Sequence, residues 1–121
     1  MAIKNIAVFC GAASGHDPAF ADAAHTLGAA LAESGSRLVY GGGSLGLMGA
    51  VANGSLSRQG QITGVITKQL VHKELAHPNI ADMRIVETMH ERKTQMAQMA
   101  DAFVALPGGF GTLDELFEIL A

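Results

Sequence analysis

Five short apolar runs recur along this chain: NIAVFCG, RLVYGGG, ITGVIT, MRIVET and AFVALPGG, with mostly helix-patterned stretches between them. That alternation constrains the fold more than any other feature. Short runs that are apolar throughout belong to strands covered on both faces. An intervening helix carries the chain back so that the next strand runs parallel to the last. The pattern predicts an α/β fold, a Rossmann-like open parallel sheet with helices on both faces. At 121 residues there is room for one domain, residues 1–121.

The connecting segments fit this reading. In DPAFADAAHTLGAALAESG, Asp17 can cap, Pro18 suits the first turn and Gly35 suits the end. Phe20, Ala24, Leu27 and Leu31 fall on one face as a sheet-facing stripe. LMGAVANGSLSRQG predicts a second helix, and KQLVHKELAHPNIAD a short helix and a loop. MHERKTQMAQMAD predicts a helix in which Met89, Met96 and Met99 read as core packing. TLDELFEILA begins a last helix, strongly apolar and without a terminating glycine or proline. A sheet ending there would be poorly covered on one side, so the expectation is a C-terminally truncated domain.

Composition narrows the function classes. Hydrophobic residues make up 49% and charged residues 16%, which argues against disorder. Only 5% are aromatic and alanine is abundant, favouring close-packed helices on a sheet. The net charge is −3 and basic residues cluster only at Arg92–Lys93, which argues against nucleic acid or an anionic membrane as partner. No apolar run approaches the roughly 18–20 residues that span a bilayer. The N-terminal apolar stretch is short and begins at polar Asn5, so it reads as a buried strand rather than a signal peptide. The single cysteine, Cys10, cannot form an internal disulfide, which fits a cytoplasmic protein.

In open parallel sheets, ligands bind beyond the carboxyl ends of the strands. Cys10–Gly11, Gly41–Gly43, Met89 onward and Pro107–Gly111 all fall at that one edge. GGGSLG, residues 41–46, has the form GxGxxG between a strand and a helix. Backbone amides of such a loop can approach a phosphate, with the helix dipole adding attraction. The alternative is that its glycines serve tight helix–strand packing alone. A dinucleotide reading needs an acidic residue roughly 20 positions on, and VITKQL offers none.

LPGGFGTLDE repeats the arrangement. Gly108, Gly109 and Gly111 can form an anion nest, and Thr112 can donate its hydroxyl at the helix start. No lysine follows the last glycine, so this is not a Walker loop. Thr112 and Glu115 have capping-box spacing; in the other reading Glu115 faces bound ligand. Asp114 points about 100° away and makes no obvious pair with it. In MHERK, Arg92 can hold a phosphate or carboxylate bidentately and Lys93 can act as a point charge, against the alternative of a solvated helix face. The five histidines show no metal-binding spacing, and no nucleophile elbow is present. No metal or cofactor is expected.

PGGFGTLDE resembles the PGGxGTxxE signature of the Lonely-Guy-type phosphoribohydrolases, which activate cytokinins, and MHERK resembles that family's second signature. LVYGGGSLGLMGAVA and DAFVALPGGFGTLDELFEIL are also similar to the family, in the same order, so the resemblance covers nearly the whole chain. It implies a Rossmann-like nucleotide-binding domain, usually dimeric or larger. It implies hydrolysis of the N-glycosidic bond of adenosine-type 5′-monophosphates to free base and ribose 5-phosphate. Arg92 and Glu115 match the family's catalytic pair. Met89, Lys93, Gly108, Gly109, Gly111, Thr112 and the turn Gly41, Gly42, Gly43 match its nucleotide-contacting residues. Where the family often carries serines after its first cysteine-glycine, this chain has Ala12 and Ala13. Members are often labelled lysine decarboxylases, but pyridoxal chemistry needs a Schiff-base lysine and a partner for the pyridinium nitrogen. Lys93 sits instead with an arginine and an anion cradle. A rival implication is a non-catalytic nucleotide or molybdenum-cofactor carrier, whose fold is similar.

Overall fold

The computed structural model describes residues 4–11, 18–73 and 75–106. The elements run β1 (Asn5–Phe9), α1 (Pro18–Glu33), β2 (Arg37–Tyr40), α2 (Gly46–Ser57), β3 (Ile62–Thr67), α3 (Lys68–His72), β4 (Asp82–Val86), α4 (Met89–Met99) and β5 (Ala102–Ala105). The strands form one sheet in the order β4-β3-β2-β1-β5, parallel at every pairing. The sequence therefore named the architecture correctly.

Strand alternation sorts the core into two layers. Val8, Leu38, Tyr40 and Ile62 pack with Ala24 and Leu31 of α1 and Leu47 and Val51 of α2. Ala7, Phe9, Val39, Val65 and Val86 face the other way, against Met96 of α4. The topology explains the split. Strands β1 to β4 progress toward one edge, and the chain then returns to place β5 on the far side of β1. Reversing the direction of travel under the right-handed crossover rule puts the connecting helix on the opposite face. Helix α4 accordingly lies across the sheet, touching β1, β2, β3 and β4. The order reverses between β1 and β5, and the crevice at such a switch point is where open sheets take ligands.

One expected feature differs. Phe20 is 41% exposed, and the buried residues of α1 are Ala24, Gly28 and Leu31. The reason is that α1 packs chiefly on α2, with less contact to the sheet. Small residues let the two backbones meet. A methyl group at Gly28 would overlap the Val51 carbonyl oxygen, and one at Gly54 would overlap that of His25. Gly35, at φ +77°, ends α1 as expected. The last helix, the expected ending of the domain and Asp17 lie outside the described residues.

Candidate functional site

The site is built from the carboxyl ends of β2, β3 and β4. Strand β4 leads into Thr88, whose Oγ1 accepts the Glu91 backbone N–H at 3.1 Å. Glu91 Oε2 in turn accepts the Glu87 N–H at 3.1 Å. This is a capping-box arrangement reaching one residue further back than usual, and it fixes the first turn of α4. The Thr-x-x-Glu spacing was present in the sequence and went unread there.

With that turn fixed, Arg92 points inward. It is only 4% exposed, so the solvated-face alternative is excluded. Its Nε donates to the Val65 carbonyl at 2.8 Å, and its Nη2 donates to the Gly41 carbonyl. Nη1 lies 3.5 Å from the Met89 sulfur. A guanidinium taken out of water is costly unless its donors find acceptors. Here the Val65 carbonyl within β3 and the Gly41 carbonyl just past β2 supply them.

Gly41, Gly42 and Gly43 form the turn after β2, and each does something different. A side chain at Gly41 would occupy the space of the Arg92 guanidinium. Gly42 sits at φ +78°, in the left-handed region. A side chain at Gly43 would press on Met48. The carbonyls of the turn are held from behind: Gly41 by Arg92, Gly42 by the His77 N–H at 2.8 Å, and Gly43 by the Tyr40 hydroxyl at 2.9 Å. Burial, together with the nearby Cys10, pushes the Tyr40 phenol well above its ordinary range, with Arg92 opposing. It therefore stays protonated and keeps donating. An antiparallel bridge between Gly43 and Ala76 completes the frame.

Beside this turn lies a small apolar cavity of about 140 Å³, walled by Gly41, Gly43, Leu45, Met48, Ile66 and Arg92 among others. It would accept a small uncharged group beside the guanidinium.

The structure thus brings together Arg92, Met89 and Gly41–Gly43. Met96 is core, as read, but Met89 is not: it is 44% exposed at the start of α4, on the rim beside Arg92. Lys93, next on α4, is partly buried. Gly108, Gly109, Gly111, Thr112 and Glu115 lie outside the described residues. Tyr40, His77 and Asn53 entered no sequence-based site. Tyr40 adjoins the glycines, which was a usable signal; His77 had none, because its partners come from distant segments.

A family profile described as "Possible lysine decarboxylase" matches residues 48–121. "Cytokinin riboside 5′-monophosphate phosphoribohydrolase LOG" of Oryza sativa subsp. japonica is 48% identical over 117 residues, covering 97% of this chain and 48% of that protein. A protein of the same descriptive name from Rhodococcoides fascians is 45% identical over 118 residues, covering 97% and 60%. The chain belongs to this Lonely-Guy-type family. It spans about half the length of the first curated relatives it matches, 48% and 54%. Among solved structures, the molybdenum cofactor carrier protein of Chlamydomonas reinhardtii superposes with a TM-score of 0.81 at 24% identity, covering 98% of this chain and 71% of that one. The molybdenum cofactor binding protein of Rippkaea orientalis gives 0.83 at 22%, covering 99% and 72%. At such identities the likeness establishes the shared Rossmann-like fold alone.

Proposed function

We propose that this Lonely-Guy-type chain is the nucleotide-binding domain of a hydrolase acting on adenosine-type, cytokinin riboside 5′-monophosphates. The products are the free base and ribose 5-phosphate. The observation that carries the reading is the buried Arg92 guanidinium, held against the Gly41–Gly43 turn at the carboxyl edge of the sheet. A buried charge is costly to a fold, and its placement at the edge where parallel sheets take ligands supports a functional role. The family relatives, named for this activity, support the same reading.

In the mechanism, glycine amides of the turn at residues 41–43 and of Gly108, Gly109 and Gly111 take the 5′-phosphate, with Thr112 donating its hydroxyl. Phosphate binding positions the remote glycosidic bond. The bond from C1′ to the base nitrogen breaks with its electron pair moving to the base, and positive charge develops on the ribose. The Glu115 carboxylate stabilises that charge and accepts a proton from the attacking water, whose oxygen bonds to C1′. The base nitrogen takes a proton from solvent and Glu115 returns the water's proton to solvent, so the balance is one water consumed. Arg92 orients the nucleotide, partly through the turn it braces, while Met89 and Lys93 line the rim. No metal or cofactor enters the scheme. We place the enzyme in the cytoplasm as a homodimer or larger assembly; its single cysteine, Cys10, can form no internal disulfide, which fits a reducing compartment. The carrier reading has only the shared fold behind it.

The test is Glu115→Gln assayed with AMP by chromatography of released adenine. The parent releases adenine; the variant folds and releases it slower by orders of magnitude. Equal release by both removes Glu115 from the mechanism, and unchanged AMP with the full-length parent removes the activity.

A further inference from the structure

His77 is a buried histidine that the proposed chemistry does not use, 6% exposed. Its ring sits between two fixed partners. Nδ1 accepts the Asn79 backbone N–H at 3.1 Å, so Nδ1 carries no proton. Nε2 lies 2.8 Å from Asn53 Oδ1, an acceptor, so Nε2 carries the proton and donates it. The two contacts together select one neutral tautomer.

The position of this ring matters because of what the same segment does with its backbone. The His77 N–H holds the Gly42 carbonyl at 2.8 Å, and the Leu75 carbonyl accepts the Ser44 N–H at 3.0 Å. Ala76 pairs with Gly43 between them. The segment 75–77 is therefore a splint along the turn. It is no part of a regular strand or of α3, which ends at His72. Its side-chain attachment to the rigid layer runs from His77 to Asn53 on α2. A chain of contacts from Asn53 through His77 to Gly42 thus links the α1–α2 layer to the turn.

We infer that His77 is a positioning residue, a latch from α2 that sets the shape of the Gly41–Gly43 turn and through it the capture of the substrate's phosphate. The second half of that statement rests on the hydrolase reading; the first does not. The latch acts on binding rather than on bond cleavage, because it touches the turn from behind and no reacting atom.

The experiment uses the full-length protein and two readouts. Amide hydrogen exchange reports the turn directly. In His77→Ala, exchange at Ser44 and residue 77 rises about tenfold, the loss of one buried hydrogen bond. Exchange at Ala7 and Val8 in β1 stays unchanged. Asn53→Ala gives the same local rise, and the double variant is no worse than either single one, as for partners in one contact. His77→Gln, which can still donate to Asn53, recovers most of the protection. With AMP as substrate, His77→Ala raises KM about tenfold and leaves kcat within twofold, and the glutamine variant recovers KM. Unchanged exchange at Ser44, or an equal rise at Ser44 and Val8, overturns the inference, the latter showing plain destabilisation. Local loosening with an unchanged KM in an active parent overturns the link from the latch to phosphate capture. A parent that does not cleave AMP defeats the hydrolase reading instead, and the exchange pattern still decides whether the latch exists.

Discussion

Two groups of glycines in this molecule look alike in sequence and differ in physics. Gly28 and Gly54 sit in helices at the α1–α2 seam, where a side chain would collide with the Val51 or His25 carbonyl oxygen. Gly41, Gly42 and Gly43 sit in the turn after β2, where space is taken by the Arg92 guanidinium, by Met48 and Met83 sulfur, and by a left-handed backbone. The seam uses glycine to bring backbone against backbone. The turn uses it to admit functional side chains and a conformation that other residues resist. Substitution should therefore cost the seam stability alone, and cost the turn both stability and substrate binding.

The largest effect belongs to the seam. Gly28→Ala or Gly54→Ala forces a methyl group into a backbone oxygen, which cannot swing aside as a side chain could. The expected loss is about 3 kcal/mol, the upper end of ordinary overpacking, read as a fall in the denaturant midpoint. Adenine release per folded Gly28→Ala molecule should stay at the parent's level, whereas Gly54 adjoins the latch residue Asn53 and reports on stability alone. A Gly28→Ala protein as stable as the parent would mean the helices are free to separate, and the contrast would fail on this side.

Gly42→Ala comes next. It places a side chain at φ +78° and against the Met83 sulfur and Ile66 Cβ. The sulfur end can shift but Ile66 Cβ is fixed to β3 and must give by a few tenths of an ångström, so the backbone conformation sets a minimum cost of about 1–2 kcal/mol. Here the KM for AMP should rise several-fold as well. Equal loss of stability with an unmoved KM would turn these glycines into packing residues, the plainer of the two readings the GGGSLG segment allowed.

That segment shows where the sequence could speak and where it could not. Its place after an apolar run and before a helical pattern put the turn at the ligand edge, because strand and helix periodicities are local properties. The five strands were legible for the same reason. What Gly41 makes room for was not, since Arg92 lies 51 residues away and arrives only because α4 crosses the sheet. The inward aim of Arg92 was half legible: Thr88-x-x-Glu91 announced the helix start, but only the reversal of strand order says which face α4 covers. Met89 misled because methionines at helical spacing are ordinarily core. It lies in the first turn, at the rim. Phe20 misled because a helix stripe says that a face is buried, not whether sheet or helix buries it.

Tyr40→Phe sharpens the contrast from the turn's own side. The ring is fully buried and stays in place, and only the donor to the Gly43 carbonyl is lost. The expected cost is about 1 kcal/mol, with a rise in KM smaller than that of Gly42→Ala. Because the carbonyls of Gly41 and Gly42 keep their partners, the turn should loosen at one point only. A KM rise as large as that of Gly42→Ala would mean the Tyr40 hydroxyl, not the backbone conformation, dominates the turn.

The smallest effect is a pH dependence that also separates the regions. Burial lowers the pKa of His77 below its ordinary 6.5. As pH falls from 6.5 toward that lowered value, the unfolded chain takes up a proton that the folded chain refuses, so stability declines with acidity. Below the folded pKa both states are charged and the decline ends. Protonation at Nδ1 would also set it against the Asn79 N–H, which it now accepts. Asp82 acts later: the Thr63 hydroxyl chiefly holds its carboxyl below the ordinary range, burial opposes it, and Arg84 and Arg37 add smaller lowering effects. Its contribution is present above the unfolded carboxylate pKa and disappears as pH falls through the folded one. With its side chain 40% exposed, that second step should be slight. Urea unfolding across pH 7 to 5 should show a decline in the parent that His77→Gln abolishes. The protection factor at Ser44, its exchange rate relative to the intrinsic rate at each pH, should fall over the same range, while the α1–α2 seam, where the buried contact is between uncharged backbone groups, holds its protection. A decline that persists in His77→Gln would trace the acid sensitivity to another group and leave the turn's frame insensitive to protons.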